Sequence, residues 1–181
     1  MKTRLLLIAL LASLSVNGQT LLETEIAFES EDYFAVQRVF DGGASYDPID
    51  YAYYLFDNGG KEVRLESLII PEKKEILLAL LNNKLTKYIK DFEKGLIDGF
   101  PVDDDHRNSI IKALNEIIID SKDLSSLMIY NVEKENGKME YMISFRSGHL
   151  PRVWWSADPY LTLNVEECKY FFNPDLFKGY D

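Results

Sequence analysis

Apolar and polar residues alternate along the first part of the chain, repeat at helical spacing through its middle, and alternate again towards its end. Leu22, Thr24, Ile26 and Phe28 alternate with Glu23 and Glu25, the two-residue period of a half-buried strand. Phe34, Val36 and Phe40 share a face of the next segment, with Gln37 opposite. Residues 41–48, Asp-Gly-Gly-Ala-Ser-Tyr-Asp-Pro, read as a loop by their turn chemistry. Tyr51 to Phe56 is apolar on both faces, as expected of a central strand. Asp57-Asn58-Gly59-Gly60 marks a hairpin turn, because Asn and Gly accept positive φ. Lys61 to Ile70 is expected to return as a strand, with Val63, Leu65 and Ile69 inward and Glu62, Arg64 and Glu66 outward.

At Pro71 the period changes. Proline suits the first turn of a helix, and Glu72 and Glu75 suit its positive end. Leu77, Leu81, Leu85, Ile89 and Phe92 then recur with Leu78 and Tyr88 beside them, which predicts an amphipathic helix of about six turns ending near Gly95 or Gly99. Asp103 reads as the cap of a second helix, whose apolar stripe is Ile110, Ile111, Leu114, Ile117 and Ile118. The short Gly99-Phe100-Pro101 link predicts an antiparallel helix pair.

Strand periodicity resumes after Leu124. Leu127 to Val132 and Lys138 to Arg146 flank a turn at Glu135-Asn136-Gly137. Val153 to Ser156 and Tyr160 to Val165 follow, separated by Asp158-Pro159, and the aromatic tail from Tyr170 to Asp181 reads as an irregular packed segment. The predicted class is α+β. About eight antiparallel strands, in one or more sheets, hold a helix pair inserted between two strand-rich halves, with the helices on one sheet face.

The first eighteen residues stand outside this pattern. Lys2 and Arg4 precede an apolar run from Leu5 to Leu14, and Val16-Asn17-Gly18 places small residues where a signal peptidase reads. The run is about half the length of a bilayer span, so residues 1–18 are expected to be a cleaved secretory signal. Residues 19–181, starting at Gln19, would form one domain in the periplasm or outside a bacterial cell. No later apolar run is long enough to cross a membrane.

Charge narrows the partners. With Lys2 and Arg4 in the leader, 18 basic and all 30 acidic residues remain, a formal net charge of −12. Nucleic-acid binding calls for a basic face, and no cluster of Lys and Arg supplies one. A basic protein fits, and carbohydrate is a second candidate. The content is 46% hydrophobic and 13% aromatic, enough for a packed core. The single Cys168 rules out an internal disulfide and reads as a small buried apolar side chain.

Candidate chemistry is sparse. Asp103-Asp104-Asp105-His106 has metal-ligand residue types, but only Asp103 and His106 can share a helix side, at i and i+3. Asp41, Asp47 and Asp50 are oxygen donors for a cation, in a spacing unlike the calcium helix-loop-helix pattern. Both sets read better as a cap and a turn. Trp154-Trp155, followed by Asp158 and Tyr160, is the leading binding candidate, because neighbouring strand residues face opposite sides and one Trp would be exposed. His106 and His149 are the only histidines; Ser147 stands too near His149 in sequence to suggest a triad, and Cys168 with His149 depends on the fold. No glycine-rich phosphate loop is present, and no cofactor is expected. The expected function is an exported acidic binding protein, specifically an inhibitor or immunity protein recognising another macromolecule. The alternative is a hydrolase of envelope polymers with a site assembled from dispersed acids.

Overall fold

A computed structural model describes residues 20–44, 47–95, 97, 104–150 and 157–180. The predicted leader and the predicted strand at 153–156 lie outside them. The described residues hold seven strands in two antiparallel sheets, and three α-helices. The α+β class therefore stands, but the expectation of about eight strands does not. They form two compact units. The first takes described residues of 20–69, 128–143 and 163–180, the second those of 70–127 and 144–162.

The four-stranded sheet belongs to the first unit and runs in chain order: β1 (Thr20–Glu29), β2 (Tyr33–Ala44), β3 (Asp47–Asp57) and β4 (Glu62–Val63). The segment read as a loop at 41–48 is mostly strand, since β2 and β3 carry their pairing to Ala44 and Asp47. The turn after β3 forms as expected: Gly60 has φ 83°, and the Asp57 carboxylate accepts the Lys61 amide at 2.9 Å.

Two departures follow from local geometry. In β1, register shifts between Leu21 and Glu23 and between Ile26 and Phe28 break the strict alternation. Leu22 and Ile26, expected inward, are 55% and 42% exposed, while the consecutive Ala27 and Phe28 are both buried. After β4, the chain turns into a 3-10 helix at Leu65–Leu68 instead of continuing as a strand to Ile70. Leu65 and Ile69, both buried, are four residues apart, a spacing a helical turn satisfies as well as a strand.

Cross-strand partners share a face, and the sheet's two faces differ. One carries Phe34, Val36 and Arg38 on β2 beside Phe56 and Tyr54 on β3, with the Phe34 and Phe56 rings 5.4 Å apart. Arg38 is 98% buried there; its guanidinium lies 4.9 Å from the Phe40 ring centre and 6.0 Å from that of Tyr54, so aromatic faces replace part of its hydration. The opposite face begins with buried Phe28, Ala35 and Leu55. It continues as Glu25, Gln37 and Tyr53, then Glu23, Val39 and Tyr51.

Helix α1 (Lys74–Glu93) follows a 3-10 turn at Pro71–Lys73. Its buried residues are Leu77, Leu81, Leu85, Ile89 and Phe92, the stripe read from the sequence. It ends at Gly95, whose φ of 71° favours glycine, and Arg107 of α2 (Asp104–Asn115) donates to the Phe92 and Glu93 carbonyls at 2.6 and 3.0 Å. Helix α2 stops earlier than its apolar stripe suggests. Ile110 and Leu114 are buried, but Ile118 is 77% exposed, and Ile119 is buried in its place. The Asn82 side-chain amide clasps the Ile119 main chain, donating to its carbonyl at 2.9 Å and accepting from its amide at 3.0 Å. No described helix is long and apolar enough to cross a membrane.

The second sheet has the order β5 (Leu127–Glu133), β6 (Met139–Arg146) and β7 (Tyr160–Leu163). Gly137, with φ 73°, makes the β5–β6 turn. Strand β7 ends at Leu163 because Asn164 caps a helix that pattern reading missed, α3 (Val165–Phe171). Asn164 accepts the Glu167 amide at 2.9 Å while Glu167 accepts the Asn164 amide at 2.9 Å, a complete capping box. The tail is correspondingly ordered. A 3-10 turn at Pro174–Phe177 follows, and Phe171, Phe172, Leu176 and Phe177 are all buried.

Candidate functional site

Of the predicted binding constellation, only Asp158 and Tyr160 are among the described residues, and those two do not share an exposed surface. Trp154 and Trp155 lie outside the described residues. Tyr160 opens β7 and is 46% exposed, alternating with buried Leu161. Asp158 is turned inward, with its side chain fully removed from solvent. Its carboxylate accepts the Gly148 amide at 2.8 Å, the Arg146 Nε at 3.2 Å and the Ser147 hydroxyl. A buried carboxylate persists only when so supplied with donors. Asp158 ties 146–148 to 157–159, and the Tyr88 hydroxyl adds a bond to the Ala157 carbonyl at 3.0 Å.

The neighbouring His149 places its Nε2 3.0 Å from the Asp123 carboxylate, whose other oxygen accepts the Asp120 amide at 2.7 Å. Ser, His and Asp thus meet in one region of the second unit. Their wiring differs from an activated serine, in which the hydroxyl donates to an imidazole: the Ser147 hydroxyl donates to a carboxylate instead. Cys168, in α3, is fully buried and its Sγ lies 3.5 Å from the Leu163 carbonyl.

Of the weaker metal candidates, His106 is an exposed residue of α2, and Asp103 and the side chains of Asp41 and Asp47 lie outside the described residues. Among the described residues no group of three or more His, Cys, Asp and Glu side chains is placed to hold a metal ion.

Two surfaces of the first unit remain. One is the sheet face at Glu23, Glu25 and Tyr51, all exposed, with Gln37, Val39 and Tyr53 half-buried between them. No Lys or Arg stands in this set, and the Tyr53 ring is supported by Tyr130 of β5 at 5.9 Å. The other is a cleft of about 380 Å³, lined by residues 138–141, 164–166, Lys169 and Tyr180. This volume falls in the range of small-ligand sites. Glu140 on its wall is paired with Lys134 at 3.5 Å, and Tyr180 donates its hydroxyl to Asn131 at 2.8 Å.

Tyr141 lines the cleft and is 97% buried, its ring stacked on Phe177 at 4.4 Å and edge-on to Tyr180 at 5.0 Å. Its hydroxyl has no hydrogen-bond partner among the described residues. Burial first, then the neighbouring Cys168 and Glu166, push this phenol well above its ordinary value near 10, so the hydroxyl stays protonated. No pattern in the sequence marks it, because Tyr141, Ile143 and Phe145 read simply as the inward face of a strand.

An unsatisfied buried hydroxyl costs stability. Tyr141→Phe, which keeps the ring, is therefore expected to stabilise the protein by about 1 kcal/mol, read as a raised urea midpoint. The raised phenol contributes stability that is present below the unfolded value near 10 and is lost as pH rises past it. The thermal midpoint should thus fall above pH 10, and fall less in Tyr141→Phe. A destabilised variant at neutral pH would mean that the hydroxyl is already satisfied.

No family model matches this chain, and no curated protein matches it.

Proposed function

We propose that the chain is an exported, non-enzymatic binding protein whose partner is a basic protein, and that the acidic, aromatic face of the four-stranded sheet makes the contact. An inhibitor or immunity protein is the specific form. The observation that carries this reading is the row Glu23, Glu25 and Tyr51: two carboxylates and a phenol, exposed on a strand-built surface without a basic residue between them. A rigid sheet holds such groups at fixed spacing, so binding loses little backbone freedom. Tyrosine supplies apolar area with a polar tip, and the carboxylates steer and orient a cationic partner. The net charge of −12 beyond the leader extends that attraction over the whole molecule. The leader accounts for where the meeting takes place.

The test is retention of envelope and medium proteins on the immobilised chain, run beside a Glu23→Lys/Glu25→Lys double variant and Tyr51→Ala. One basic partner at equal stoichiometry is expected on the native chain, released by salt. Opposed like charges cost several kcal/mol, so the double reversal should weaken binding by about a hundredfold or more. Equal retention by native and reversed chains would place the contact elsewhere, and recovery of background alone would sink the reading.

A further inference from the structure

The cleft beside Tyr141 has a feature that separates it from an ordinary surface hollow. Its wall includes four consecutive residues, Lys138, Met139, Glu140 and Tyr141. Side chains of successive strand residues point to opposite faces of a sheet. A hollow on one face would meet only every second residue, whereas one that meets Met139, Glu140 and Tyr141 of β6, with Lys138 just before it, looks onto the edge of the strand. The strand lengths agree. Strand β6 has eight residues and its neighbour β7 only four, so β7 leaves about half of that edge uncovered. Antiparallel pairing sets the end of β7 towards the start of β6. The cleft occupies this position, since its second wall begins at Asn164, the residue after β7.

We infer that the cleft is a strand-addition site, taking a short extended peptide segment with an acidic side chain along the open edge of β6, in line with β7. It is independent of the sheet face proposed above. Main-chain hydrogen bonds to an uncovered strand edge supply affinity in this mode, and side-chain pockets supply selectivity. Met139, 48% exposed, and half-buried Val165 offer apolar contact. Charge selects the segment. Glu140 is neutralised by Lys134, which leaves Lys138, Lys169 and Glu166 on the rim, a net positive spot on an acidic molecule.

The test uses three capped heptapeptides that alternate valine and threonine around a central glutamate, lysine or glutamine, titrated into the protein while main-chain amide NMR signals are followed. The glutamate peptide is expected to bind most tightly, shifting the amides of residues 138–141 and 164–169 and slowing hydrogen exchange at 138–141. Lys169→Glu should weaken it about fivefold by reversing one rim charge. Shifts confined to other parts of the molecule, equal binding of the lysine peptide, or no binding up to about 1 mM would each overturn the inference.

Discussion

Replacing Asp158 by alanine is expected to destabilise the protein by about 2–3 kcal/mol. The carboxylate is wholly removed from solvent and accepts from three donors at once. Removing it leaves the buried Ser147 hydroxyl without its acceptor and opens a cavity beside the Gly148 amide and the Arg146 side chain, both of which reach solvent. The cost is dominated by what remains, since a buried donor without an acceptor loses its water and gains nothing. The loss should also reach Ala157 and Pro159, which are buried on either side. Asp158→Asn keeps one acceptor oxygen and most of the volume, so its cost should be smaller, about 1–2 kcal/mol. Ser147→Ala removes a single neutral donor and should cost about 1 kcal/mol. Urea unfolding of the three variants at neutral pH gives the ordering. An Asp158→Ala loss near that of Ser147→Ala would mean that the carboxylate takes its donors singly and that the cluster does not organise this segment.

Asp158 also shows where sequence pattern stops being informative. A carboxylate just before a proline, between two apolar runs, reads as an exposed turn residue. Its donors come from 146–148, ten to twelve residues away, and only the tertiary fold brings them to it. The same limit hides the cleft, whose walls come from segments at 138–141, 164–169 and 180 that only the fold brings together. Helix α1 was legible throughout, because five apolar positions at spacings of three and four admit one face and one period. Strand β1 was legible as a strand but not by face, since each bulge breaks the alternation after it. Helix α3 carried its own signal in Asn164 and Glu167, a capping box three residues apart. The aromatic residues that follow masked it, because they read equally well as an irregular packed tail.

Substitutions along the second helix should separate pattern from structure most sharply. By spacing alone, Leu114 and Ile118 are equivalent, four residues apart on one apolar stripe. Leu114 is fully buried, and Leu114→Ala is expected to cost about 3 kcal/mol from lost transfer energy and the cavity left behind. Ile118 is 77% exposed, and Ile118→Asn should stay within about 0.5 kcal/mol of the native protein. The difference arises at the helix end. After Asn115 the Glu116 and Ile117 amides bond three residues back, to Ala113 and Leu114 at 3.2 Å, which tightens the last turn and ends the helix. Two residues on, Asn82 fixes the Ile119 main chain from both sides and directs that residue inward, which leaves Ile118 outward. Asn82→Ala would release the clasp and leave both Ile119 groups to find water. If Ile118→Asn proved as costly as Leu114→Ala in urea unfolding, the helix would have to continue through 118, and the Asn82 clasp would not hold in solution.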